Sequence, residues 1–222
     1  MQRLTAVVVA ALSSVLAFAG SSGAANDHAS SAAVCPMPAF GAAHCHARVV
    51  TDAHGNPLAS TSPTGLSPAT IKSVYSFPTS STAGATTTVA IVDAYDDPNA
   101  ESDLGVFDSQ FGLPACTTGN GCFKKVDQNG GTLYPRKDSG WALEISLDVQ
   151  WAHAIAPGAK ILLVEAASNS FADLLAAEDY AKTHAQYVSN SWGGSESSGE
   201  SGYDGHFVQP GVSFFVSAGD SG

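Results

Sequence analysis

Basic residues are scarce in this chain: nine lysines and arginines stand against 20 acidic residues, a formal net charge of −11 over 222 residues. Phosphate-rich surfaces are bound through clustered cations, so this balance argues against nucleic acid and against anionic membranes as partners, and for solubility at neutral or moderately acidic pH. Phosphate-cradling loops are missing too, since neither Gly-x-Gly-x-x-Gly nor the P-loop pattern occurs. The histidines, at positions 28, 44, 46, 54, 153, 184 and 206, show no metal-ligand spacing beyond the weak His44-x-His46. No metal site and no cofactor are therefore expected within the chain. Internal repeats are absent, and 44% hydrophobic residues suffice for a substantial core.

The first residues have the form of a secretory signal. Arg3 supplies a positive start, residues 6–19 form an apolar run too short for a comfortable membrane span, and small residues offer cleavage after Ala19 or Ala25. Residues 1–25 are read as this signal, which makes the mature protein secreted and extracellular, with no membrane attachment after its removal. Four cysteines in an exported chain agree with two disulfides. Cys35 with Cys45 and Cys116 with Cys122 are the local pairs, and other pairings stay open. Residues 26–65, rich in Ala, Ser, Pro and His, read as an irregular leader pinned by Cys35 and Cys45.

From residue 66 onward the pattern becomes regular. A short helix is expected over 71–75, then a core strand over 88–93, whose mostly apolar run suits a sheet covered on both faces. Asp93 and Asp96 follow at its carboxyl end. Asp97-Pro98 opens a helix with Leu104, Phe107 and Phe111 spaced for one buried stripe. A strand over 122–126, a long helix over 138–158, a strand over 160–165 and a helix over 171–184 come next. Two more strands, over 186–189 and 212–217, run into Asn190-Ser191-Trp192-Gly193 and Ala218-Gly219-Asp220-Ser221-Gly222. Alternating strands and helices predict a doubly wound α/β domain with a mostly parallel sheet. Its active site belongs at the carboxyl ends of the strands. Glu165 reads as a strand-end charge and Glu178 as part of a solvated helix face.

The helix over 138–158 has Asp138 or Ser139 as its cap and Pro157-Gly158 as its stop. At about 100° per residue, Ser146, Gln150 and His153 share an arc of roughly 60°, the natural solvent face. Glu144 and Asp148 fall nearly opposite, among Trp141, Trp151, Ala152 and Ile155, and so point inward. Like charges at i and i+4 disfavour a helix by about 0.2–0.5 kcal/mol, and an unpaired buried carboxylate adds several kcal/mol more. Something must compensate them, which marks the pair for proton transfer. Crowding with Asp93, Asp96 and Asp220 raises carboxyl pKa values, so such a site works best in acid. The alternative is a pair of structural carboxylates held by backbone or by a basic side chain.

Three motifs in order, Trp141-x-x-Glu144-x-x-Leu147-Asp148, Ser189-Asn190-Ser191-Trp192-Gly193 and Ser217-Ala218-Gly219-Asp220-Ser221-Gly222, resemble those of the sedolisin family of serine-carboxyl peptidases. The resemblance covers residues 66–222. It implies a subtilisin-like fold and a secreted, acid-active endopeptidase acting on proteins or peptides. It further implies that Glu144 is the general base, that Asp148 hydrogen-bonds and tunes it, and that Asp220 is the oxyanion donor, with Asp93, Ser191 and Trp192 lining the site. A carboxylate base keeps its accepting form in acid, where histidine is already charged. An aspartic acid must hold its proton to donate to an oxyanion.

The family's nucleophilic serine lies in a Gly-Thr-Ser motif well downstream of the Gly-Asp-Ser-Gly turn, and its calcium site later still. On this reading residues 66–222 are the N-terminal portion of a catalytic domain truncated before its second half, inactive by itself, with calcium held by the missing part. Ser221 belongs to the turn that carries Asp220 and is not assigned the nucleophile's role. A sheet ending after the strand over 212–217 is expected to leave an apolar edge. The competing class is a secreted non-catalytic remnant or binding protein on the same fold. A third reading starts from Ala42-Ala43-His44-Cys45 and Gly219-Asp220-Ser221-Gly222, which resemble the histidine and serine motifs of chymotrypsin-type proteases. It requires antiparallel barrels, against the alternating pattern.

Overall fold

The computed structural model describes residues 30–58 and 65–219. The expected signal segment, Asp220 and Ser221 lie outside them. Three short strands come first, β1 (Ser30–Ala33), β2 (His44–Cys45) and β3 (Arg48–Thr51), followed by α1 (Pro68–Tyr75). The regular part then runs β4 (Thr88–Ala94), α2 (Ala100–Phe111), β5 (Phe123–Asp127), α3 (Ser139–Ile155), β6 (Lys160–Ala166), α4 (Phe171–Ala181), β7 (Tyr187–Asn190), β8 (Trp192–Gly193) and β9 (Ser213–Val216).

Five strands form one sheet in the order β5-β6-β4-β7-β9, and every pairing in it is parallel. The predicted α/β architecture is therefore present, and among the described residues there are no antiparallel barrels of the chymotrypsin type. On one face Ile91, Ile161 and Leu163 pack with Leu104 of α2 and Ile145 and Val149 of α3. On the other, Ala90, Val92, Leu162 and Val164 pack with Leu174, Ala177 and Ala181 of α4. Strand β4 is central: the chain leaves it toward β5 and β6 on one side and returns to β7 and β9 on the other. That reversal opens a crevice at the carboxyl ends of β4 and β7, where doubly wound sheets bind ligands. Strand β9 is an edge, with Phe215 and Val216 exposed.

The stretch expected to be irregular contains β1, β2 and β3. β1 pairs with β3, and β2 pairs antiparallel with β8, Cys45 opposite Trp192. Cys35 is bonded to Cys45, and Cys116 to Cys122, as the local spacing suggested. The first disulfide lies against the start of α3, where a Cβ on Gly140 would stand 2.6 Å from Val34 O and 3.4 Å from Cys35 Sγ. Only glycine lets this leader approach the helix so closely.

Helix α3 is capped by Asp138, whose side chain accepts from Gly140 N and Trp141 N. Its expected solvent face is corrected at His153, which is fully buried, with Nε2 2.8 Å from Pro114 O and 3.4 Å from Asp108 Oδ1. Helix α2 packs along this flank of α3, giving it two buried sides. Its exposed apolar residues are Leu143 and Leu147. Periodicity reports polarity around a helix and is blind to a second neighbour.

Candidate functional site

Strand β4 delivers Asp93 to the carboxyl end of the sheet, and α3, crossing that face, delivers Glu144 and Asp148. Asp93 and Glu144 are completely buried. Glu144 is satisfied on both oxygens: Ala47 N donates to Oε2, and Ser191 Oγ donates to Oε1 at 2.5 Å. Ala47 lies between β2 and β3, so the leader that β2–β8 pairing holds in place supplies one of the two bonds. Ser191 follows β7 directly, which sets its hydroxyl at the crevice.

Asp148 sits one turn beyond Glu144. Its Oδ2 is buried without a hydrogen-bond partner among the described residues, and Glu144's partners are Ala47 and Ser191. Burial first, and the Glu144 charge second, push the Asp148 carboxyl up to about 8. Burial likewise drives Asp93 well above the carboxylate range, reinforced by Asp148, Glu144 and Glu165, and neither of its oxygens has a partner among the described residues. In acid Asp148 is held as a protonated acid, and Asp93 keeps its proton to a higher pH than an ordinary carboxyl does. The five residues Asp93, Glu144, Asp148, Ser191 and Trp192, predicted from separate motifs, thus gather in one place. Trp192 is buried and its Nε1 donates to Val92 O at 2.9 Å, tying β8 to the residue before Asp93.

This rim also holds a basic side chain. Lys125 of β5 pairs with Asp96, donates to Asp97 O at 2.9 Å and stands 3.4 Å from Glu165 Oε1. Glu165 is fully buried rather than a strand-end charge. It pairs in register with both Asp93 and Asp127, and burial lifts it to about 8 although Asp97 N donates to it at 2.9 Å. The signal for it was there: Glu165 and Asp93 close two parallel strands of equal length and so point to the same face. Glu178 is also fully buried rather than solvated, beside Asn190 under β7, and is raised to about 8 by burial. Ser146, on the other side of α3, donates to Asp97 Oδ2 at 3.2 Å.

Chemically, the arrangement offers one carboxylate engaged with a serine hydroxyl, flanked by two neutral carboxylic acids that can donate or store a proton. Asp220 lies outside the described residues, which end at Gly219 after β9. Among the described residues, the one group of side chains placed as a metal site would need is Cys116, Cys122 and His153, whose cysteines are bonded to each other. No helix among the described residues is long and apolar enough to cross a membrane.

No protein-family model matches the chain, and no curated protein matches it. Among solved structures, the chain is similar to Pseudomonas sedolisin, a serine-carboxyl proteinase solved with two molecules of pseudo-iodotyrostatin. The similarity has a TM-score of 0.52 at 24% identity and covers 63% of this chain. It spans 41% of that protein's length, and at this identity what the two share is the fold.

Proposed function

We propose that this chain carries the base-bearing part of a secreted, acid-active serine-carboxyl endopeptidase that hydrolyses proteins or peptides. The observation that carries the reading is Glu144: a carboxylate sealed from solvent, receiving a serine hydroxyl at 2.5 Å, with the raised acids Asp148 and Asp93 beside it. Glu144 is the general base, taking the proton of a serine nucleophile as it attacks a peptide carbonyl. The nucleophile comes from chain beyond Gly222 and replaces Ser191 at Glu144 Oε1. Asp148, protonated, stabilises the charge on Glu144 before attack and tunes its basicity. Asp220 donates to the developing oxyanion. Trp192 and Asp93 fix the geometry and complete the proton network. Calcium, if bound, belongs to residues beyond this chain.

Secretion fits the signal-like residues 1–25 and the two disulfides. Catalysis in acid follows from the base itself, since a histidine in its place would already be protonated.

A second reading is favoured by one observation. Both Glu144 oxygens already have donors, Ala47 N and Ser191 Oγ, as a purely structural carboxylate would. In that case the chain is a non-catalytic remnant of the fold. Acid proteolysis separates the two: the protein extended beyond Gly222 cleaves an unfolded protein substrate in acid and loses that activity with Glu144→Gln, whereas a folded, inert extended protein supports the remnant.

A further inference from the structure

Beside the Ser191–Glu144 contact lies a cavity of about 530 Å³ that the proposed chemistry does not use. Its polar lining is His44, His46, Arg48 and Ser217, with Gly193 and Gly219 close to the His46 ring. The histidines and the arginine alternate along the leader at positions 44, 46 and 48, so the extended chain around β2 and β3 turns them to one side. Their rings stand 5.0 Å apart between His44 and His46. His44 Nδ1, His46 Nε2 and Ser217 Oγ are all buried and lack a hydrogen-bond partner among the described residues. Arg48 is fixed at the mouth, its Nε donating to Ser31 Oγ at 3.0 Å and its Nη2 to Ser31 O at 3.1 Å. No aspartate or glutamate is among the described residues lining the cavity. In a chain of net charge −11 that is an unusual concentration of cationic and donor groups.

We infer that this cavity is a subsite for a carboxylate group of the peptide substrate. The inference rests on the peptidase reading and deepens it to a preference among substrates. Imidazole N–H, hydroxyl and guanidinium groups can all donate, and an ionised carboxylate only accepts, so one such group satisfies several orphaned atoms together. Leaving them unpaired is unfavourable for each, by an amount that a bound acceptor recovers. The cavity opens onto Gly193 and Gly194, next to the strand β8 that carries the chain from Ser191, which is where an extended peptide would lie against the site. Gly193 also fixes the fit: a Cβ there would come 3.3 Å from His46 Nε2 and push into the ring.

Two carboxylates of a peptide have this chemistry, an acidic side chain and the free C-terminus, and three capped tripeptides distinguish them. Each has alanines flanking one central residue: glutamate with an amidated end, glutamine with an amidated end, and glutamine with a free carboxyl end. Binding to the chain is followed through the His44 and His46 imidazole resonances, with no hydrolysis required. A chain that cleaves nothing can therefore still pass this test, and the two proposals fail separately. The expected result is that one carboxylate peptide binds at least about tenfold more tightly than the neutral peptide. Which of the two does so identifies the source. Arg48→Ser, at an exposed position, and His44→Asn/His46→Asn should each cut that preference below about threefold, with the near-UV spectrum unchanged for Arg48→Ser. Equal binding of all three peptides, or a preference that survives both variants, overturns the assignment.

Discussion

Asp93 and Glu165 stand directly opposite each other in the parallel ladder of β4 and β6, both carboxyls completely buried and turned to the α3 face of the sheet. Glu165 makes Asp93 harder to ionise, and Asp148 and Glu144 add to the load on it. The stability of the fold is therefore linked to pH in an unusual direction.

Asp148, Glu165 and Glu178 titrate at about 8 in the folded protein and Asp93 is raised well above its ordinary value, against 3.8 for an ordinary aspartate and 4.5 for a glutamate. Between about pH 4.5 and 8 the folded chain holds protons that the unfolded chain has released, so stability falls as pH rises, by at most about 1.4 kcal/mol per pH unit for each group. Urea unfolding should show a lower midpoint at pH 8 than at pH 4.5. A midpoint that rises over this interval contradicts the buried, protonated state of these acids.

Asp148→Asn replaces a neutral acid with a neutral amide of the same shape. Its effect on unfolding at pH 4.5 should be small, while at pH 8 the variant should equal or exceed the parent, because it no longer has a proton to lose. Equal destabilisation at both pH values, measured by urea unfolding, would mean that Asp148 is ionised when folded.

Ser191→Ala removes the donor to Glu144 Oε1 and leaves that buried oxygen bare. A loss of about 1–3 kcal/mol is expected in the same unfolding experiment. No change would show that water or another hydroxyl takes its place freely, which weakens the case for a closed site.

Gly140→Ala would place a methyl 2.6 Å from Val34 O, a backbone atom that can yield only by moving the leader. About 1–3 kcal/mol should be lost. Limited proteolysis should then cut within residues 30–51 faster than in the parent, since Gly140 is where this segment rests on α3.

Much of the fold was legible because β4, β6 and β7 are short apolar runs bounded by helices with capping residues such as Asp138 and Ser170. The inward turn of Glu144 was also legible, since a 3.6-residue period places it opposite Ser146 and Gln150. His153 was misplaced because α2 supplies a second packing surface that no local pattern encodes. Glu165 and Glu178 looked solvated because charge at a strand end or on a helix usually meets water; the first is covered where β6 pairs with β4 and β5, the second where α4 packs on the sheet beside Asn190. The leader's strands were hidden because β2 pairs with β8, almost 150 residues away, in a composition of Ala, Ser and His that signals little. Its contribution at Ala47 N to Glu144 is a backbone contact, which side-chain chemistry cannot announce.

The central claim is that Glu144 serves as the base of an acid peptidase, and the most direct measurement is the rate at which the protein extended beyond Gly222 cleaves an unfolded protein between about pH 3 and 5, with and without Glu144→Gln. The parent should be active and the variant should lose about 10²–10⁴-fold, with its unfolding midpoint at pH 4.5 little changed. A Glu144→Gln protein that cleaves at the parental rate would contradict that claim.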